Sequence, residues 1–246
     1  MVSILFRMLC GWMIGTVVSL YIHELGHVMV GIANGWKFIL LTVGPLKIYR
    51  NDVHEKVKVG FEKNIMNWFG IGATVPVGHS SNNLHIWAKI LIGGPVFSVV
   101  SGILLMTGAV CARNLFLLMF GLVSLAIGLV NAIPLPFRTG FFYNDGKRFK
   151  RIKEGGTSAR EESEIMNIVE KGVIDGEKAI FYENECASLI TSEDPIYRYY
   201  GYYMLYHSAM KYDTQLAGNY FRLAEALGKE IPSSVIKMFP LDDKVE

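Results

Sequence analysis

Three stretches of this chain are apolar for longer than a soluble core helix requires, and they set the class of fold before any motif is considered. They run from about Ile4 to Ala33, from about Ile86 to Ala112 and from about Leu115 to Ile133. A helix needs roughly 20 apolar residues to cross a bilayer, so each is expected to span a membrane. Of the 246 residues, 51% are hydrophobic and only 19% charged, too apolar a balance for an ordinary soluble domain. The first run stops at Asn34-Gly35, a helix-ending pair. The second opens near Lys89, whose long stem can snorkel, and the third is closed by Pro134 and Pro136. Only Arg113 and Asn114 separate the second run from the third, which predicts a tight helical hairpin. The N-terminus carries a single Arg7 and no small-residue cleavage site, so the first helix is expected to be retained rather than removed.

The basic residues give an orientation. Lys37, Lys47, Arg50, Lys56, Lys58 and Lys63 lie between the first two helices, and Arg138, Lys147, Arg148, Lys150, Arg151 and Lys153 follow the third. Arg7 and Arg113 fall on the other side. The positive-inside rule then places the loop and the C-terminal region in the cytoplasm and the N-terminus outside. A formal net charge of +2 gives no footprint for nucleic acid. Three scattered cysteines (Cys10, Cys111, Cys186) form neither a disulfide framework nor a zinc-thiolate pattern and read as packing residues.

Between the first two helices, about residues 36–63, short β-branched runs, a Gly44-Pro45 turn and the alternation in KVKVGF predict small strands lying against or dipping into the membrane. The composition changes after residue 146: EGGTSAREESE reads as a polar linker. A charged, tyrosine-rich helical region follows, in which YRYYGYYMLYHSAM and TQLAGNYFRLAEALGKE predict a helical hairpin. The expected fold is an all-α polytopic membrane protein with three transmembrane helices, a short membrane-associated β segment and a C-terminal cytoplasmic helical region. It divides into a core over 1–150 and a helical domain over 151–246.

The first apolar run contains HELGH, residues 23–27. At about 100° per residue, His23 and His27 lie about 40° apart on one helix face and one turn apart, a placement that suits two imidazoles on one zinc ion. Glu24 projects beside the metal, where it can take a proton from a water whose pKa the metal has lowered to about 7. Charged groups at mid-helix in a membrane cost at least ~2.5 kcal/mol each, and a metal with a catalytic water accounts for that cost. His27 and His23 precede Asn34 by 7 and 11 residues, which puts the site roughly 10 to 16 Å inside the cytoplasmic end at 1.5 Å per residue.

Catalytic zinc takes a third protein ligand and keeps an open position. The third helix ends on the same side, followed by NAIPLPFRTGFFYNDG, in which Asp145 is the only carboxylate and Gly146 permits a tight turn. Asn131 is positioned to hydrogen-bond an extended backbone nearby. His79 or His85, on the segment leading into the second helix, are alternative ligands. Gly94, Ser98 and Gly102 have small-xxx-small spacing, and Pro95 frees a carbonyl; helix packing and a wall of a substrate channel are both open readings.

HELGH in a membrane helix, GGP (Gly93-Gly94-Pro95) in the next, and an N-x-x-P…D-G element after the third together resemble the site-2 protease family of intramembrane zinc metalloproteases, over about residues 10–150. The resemblance implies one zinc ion held by His23, His27 and Asp145, with Glu24 activating water and Asn131, Gly93, Gly94, Pro95 and Gly146 in support. It implies cleavage of a membrane-embedded or membrane-associated protein or peptide substrate near the cytoplasmic face: a regulator, a signal-peptide remnant or a peptide precursor. The minimal architecture points to a bacterial cytoplasmic membrane. This chain departs from the family's usual form in the eight residues, Phe137 to Asn144, between Pro136 and Asp145. The competing expectations are a zinc-binding membrane scaffold without peptidase activity, or an adaptor whose C-terminal helices bind a protein partner through their tyrosines.

Overall fold

A computed structural model describes residues 2–51, 55–78, 80, 82–136, 138–139 and 141–241. Three long helices lead the fold: α1 (Val2–Ala33), α2 (Asn83–Ala112) and α3 (Leu115–Ala132). All three are long and apolar enough to cross a membrane. They pack on one another in every pairing, and their surface pattern is the inverse of a soluble bundle. Ser19, Ser98 and Ser124 are fully buried, whereas Leu104 and Val110 are 67% and 74% exposed. Small residues let helix backbones approach closely where no water drives association.

The links between helices follow from local chemistry. Arg113 adopts the left-handed conformation (φ 48°) and closes α2, its amide reaching the Val110 carbonyl. Asn114 then caps α3, its Oδ1 accepting from the Phe116 and Leu117 amides at 2.9 and 3.3 Å. A side-chain cap satisfies donors that the first helical turn leaves unpaired, so two residues suffice to reverse the chain. Gly35 (φ 85°) ends α1, and the Trp36 amide donates back to the Gly31 carbonyl.

Between α1 and α2 lies a four-stranded antiparallel sheet of β1 (Lys37–Val43), β2 (Leu46–Tyr49), β3 (Lys58–Phe61) and β4 (Ile71–Val75), in the order β3-β2-β1-β4. The strand signals end near residue 63, yet the sheet continues to Val75. The five-residue β4 follows a 3-10 turn at Ile65–Phe69 and is too short to announce itself by alternation. β1 and β4 are the strands that pack on α1.

After α3 come a short hairpin, β5 (Arg138–Thr139) with β6 (Phe142–Tyr143), and α4 (Asp145–Glu154). The stretch expected to be a linker is instead the break between α4 and α5 (Gly156–Asp175), made by Gly155 and Gly156 at φ 74° and 62°. The Ser, Ala, Arg and Glu that follow are compatible with a helix once it has started. Then come α6 (Ala187–Ile190), α7 (Pro195–Ala209), α8 (Thr214–Gly228) and α9 (Ser233–Met238). Asp194 and Asp213 cap α7 and α8 by accepting from Ile196 and Leu216 amides, and α7 and α8 form the expected helical pair.

The chain divides into two compact units, Met1–Pro136 with Asn144–Lys150, and Phe137–Tyr143 with Arg151–Glu246. In the second unit the tyrosines of α7 are mostly core rather than a face: Tyr197, Tyr199, Tyr200 and Tyr206 are buried with Phe141, Leu189 and Leu205. Several of its buried charged groups are paired. Arg138 bonds Asp194, which also accepts from the Tyr143 hydroxyl at 2.9 Å. Arg151 bonds Glu161 and Glu162, and Glu162 also accepts from Tyr197.

Candidate metal centre

His23 and His27 stand one turn apart on α1, 4% and 7% exposed, and Asp145 opens α4. Their ligand atoms converge. His23 Nε2 lies 3.0 Å from Asp145 Oδ2, His27 Nε2 lies 3.4 Å from the same oxygen, and the two Nε2 atoms are 3.3 Å apart. Among the described residues these three form the group able to hold a metal ion. A four-coordinate zinc ion with ligands about 2.0 to 2.1 Å away has ligand-to-ligand edges of about 3.3 Å, so the spacing fits such an ion, and the two-nitrogen, one-oxygen donor set suits it. Burial alone would raise the Asp145 carboxyl, but His27 and His23 at its oxygen hold it below the usual carboxylate range.

The far nitrogens of both rings are also engaged. His27 Nδ1 donates to the Ile90 carbonyl at 2.7 Å, and His23 Nδ1 lies 3.0 Å from Ser98 Oγ. Partners of this kind fix ring orientation at metal sites. Both belong to α2, so the second helix aims the histidines of the first. The helices meet where neither has a side chain: a Cβ on Gly26 would come within 2.6 Å of the Gly93 carbonyl oxygen, and one on Gly93 within 2.7 Å of the Gly26 oxygen. Gly94 lines the ligand pocket itself, since a Cβ there would fall against both Nε2 atoms. Pro95 is buried inside α2 and leaves the Leu91 carbonyl without its usual helical donor.

Glu24 is half-buried beside the ligands, and strand β4 lies on it. A Cβ on Gly70 would approach Glu24 Oε1 at 2.6 Å, and one on Gly72 would approach Oε2 at 3.1 Å. The carboxylate therefore sits between the ligand-bearing face of α1 and an edge strand.

Two supporting residues are placed as follows. Asn131 donates to the Ile127 carbonyl of its own helix at 3.0 Å, as a polar side chain on a regular helix does when no other acceptor is nearer. Gly146 makes no tight turn. It lies in the first turn of α4 pressed against the Ala132 carbonyl, so its missing side chain permits the close approach that brings Asp145 to the histidines. A further asparagine, Asn144, has a structural part that was not anticipated from the sequence. Its amide donates to the Val130 and Ile133 carbonyls at 3.0 and 2.7 Å, and its Oδ1 accepts from the Lys147 amide at 3.1 Å. Asn144 thus ties the end of α3 to the start of α4; an Asn three residues before an α4 amide was the available signal. Arg148, one turn beyond Asp145, lies over the Trp87 ring at 5.0 Å, and Trp87 stacks on Trp36 at 6.0 Å. Of the alternative ligands, His85 is exposed near the start of α2 and outside the group, and His79 lies outside the described residues. Cys186 is buried, Cys111 is exposed on α2, and the side chain of Cys10 is outside the description. No protein-family model, curated protein or solved structure matches this chain.

Proposed function

We propose that this protein is an intramembrane zinc endopeptidase. The observation that carries the reading is the convergence of His23, His27 and Asp145 at tetrahedral spacing, with Glu24 beside them in a helix apolar enough to lie in a bilayer. One ion per chain fits this donor set. When bound, zinc lowers the pKa of water and polarises a carbonyl. Glu24 takes the proton from water as its oxygen attacks the scissile carbonyl carbon, then returns that proton to the amide nitrogen as the C–N bond breaks. His23, His27 and Asp145 hold the centre throughout, and the buried Nδ1 contacts keep both rings aimed.

A substrate reaches such a site as extended backbone, because a helix has no free amide or carbonyl groups to offer. Of the two sheet edges, β4 is the one against Glu24, so the strand to which substrate adds is residues 71–75. The outward-facing apolar residues of α2 and α3 support burial in lipid. The basic residues flanking the helices support a cytoplasmic C-terminal region and an external N-terminus. The substrate class is a membrane-embedded or membrane-anchored protein or peptide.

The test uses detergent-purified protein and co-expressed candidate substrates. Wild type is expected to hold about one zinc per chain, lost in His23→Ala and Asp145→Ala, while Glu24→Gln keeps zinc and loses at least about 100-fold in cleavage. Zinc retained with cleavage undiminished in Glu24→Gln would overturn the hydrolytic reading. No zinc in folded wild type would overturn the metal centre as well.

A further inference from the structure

We propose that Ser98 is a positioning residue for the metal centre, the group that lets His23 present Nε2 to a metal and still be satisfied without one. The inference rests on the reading of His23, His27 and Asp145 as metal ligands. It begins from a difference between the two histidines. His27 Nδ1 faces the Ile90 carbonyl at 2.7 Å, and a carbonyl only accepts, so Nδ1 carries the hydrogen and a neutral ring leaves Nε2 as a lone pair. His23 Nδ1 faces a hydroxyl at 3.0 Å, and a hydroxyl can accept or donate.

That freedom matters because His23 Nε2 has two demands on it. With a metal present Nε2 supplies its lone pair, Nδ1 carries the proton, and Nδ1–H donates to Ser98 Oγ. With the metal absent Nε2–H can donate to Asp145 Oδ2, 3.0 Å away, and the Ser98 hydroxyl turns to donate to Nδ1. The two states of the neutral ring differ only in which nitrogen holds one proton. An alanine at 98 serves neither state and leaves Nδ1 buried without its partner, which costs about 1 to 3 kcal/mol in general.

The Ser98 oxygen is held where this role needs it. Its side chain is fully buried. Its own carbonyl accepts from Ser101 Oγ at 3.1 Å and from Ser124 Oγ of α3 at 3.0 Å, and those two hydroxyls lie 2.9 Å apart. The third helix contributes no ligand, yet through this serine cluster it fixes the backbone that carries the hydroxyl facing His23.

The experiment measures zinc affinity of the full-length protein in detergent by competition with a chromophoric chelator, for wild type, Ser98→Ala, Ser98→Cys and Ser19→Ala. Ser19 is an equally buried α1 hydroxyl that faces the Phe120 carbonyl and not a ligand. Loss of a hydrogen-bond partner behind a metal ligand typically weakens binding about 10- to 100-fold, and that loss is expected in Ser98→Ala while Ser19→Ala stays within about threefold. Ser98→Cys nearly keeps the volume with a weaker acceptor, so it too is expected to lose affinity, and it decides the matter should the alanine variant not fold. Wild-type zinc affinity in either folded Ser98 variant overturns the proposal, as does an equal loss in Ser19→Ala. A wild type that takes no zinc fails earlier, at the metal centre itself.

Discussion

At the scale of single residues, the most exacting position is one with no side chain. A methyl group on Gly94 would stand against Nε2 of His27 and within 2.9 Å of Nε2 of His23, so it would displace the atoms that must converge. Gly94→Ala is therefore expected to lower zinc affinity at least about tenfold, as disturbed ligand geometry does, with the helical content of the protein unchanged. Zinc binding equal to wild type in Gly94→Ala would show that the pocket is wider than the structure has it. Position 94 also marks what could be read from sequence. HELGH gave its own geometry, because two histidines four apart on a helix share a face wherever the helix goes. Gly94 stood out as part of the Gly-Gly-Pro element and as a small residue, and Ser98 only as another in the same row. Asn131 lies inside the third apolar run, whereas Asn144 stands eleven residues beyond its end. That Asn144 ties α3 to α4 depends on where the chain turns after Pro136, and its one local mark is its place just ahead of α4.

At the scale of elements, the long helices were legible because a run of that length has few alternatives, and their ends moved by at most three residues. The short pieces were not. β4 is five residues, the β5–β6 hairpin pairs only two residues a side, and α5 begins inside a stretch of composition typical of linkers. β4 pairs with β1 and the hairpin bonds Asp194, both distant in sequence, while α5 is tied by Arg151 of the adjoining α4. The helices of the second unit carry a consequence for pH. Burial pushes the Tyr199 hydroxyl and the Cys186 thiol each up to about 12 and raises Tyr200 as well. Their values are ordinary in the unfolded chain, so the folded state holds more protons in alkali. The stability they contribute is whole below their unfolded values, about 8.5 for the thiol and about 10 for the phenols, and is lost as pH rises through the folded ones. Above about pH 10, tyrosinate absorbance and loss of helical circular dichroism are expected to rise together in one step. Free titration of all the tyrosines with helicity intact would contradict this packing.

At the scale of the whole molecule, the chain does not divide at one point. Residues 137–143 belong with 151–246, and residues 144–150 between them, which include Asp145, belong with the helices. Cutting after Glu154 removes Glu161, Glu162, Asp194 and Tyr197, the partners of Arg138, Tyr143 and Arg151. A chain of residues 1–154 is expected to be recovered in lower yield as monodisperse protein and to bind zinc more weakly. Full yield and wild-type zinc affinity in that truncation would assign the C-terminal unit to substrate recruitment instead. The same connectivity bears on how the protein is made. His23 and Asp145 are 122 residues apart, and a ribosome adding roughly 5 to 20 residues per second needs about 6 to 25 seconds to cover that distance. For that interval the nascent chain offers the two imidazoles without their third partner, Asp145. A metal held by all three side chains would therefore load only after the third long helix has left the ribosome, at a centre closed from two segments far apart in sequence.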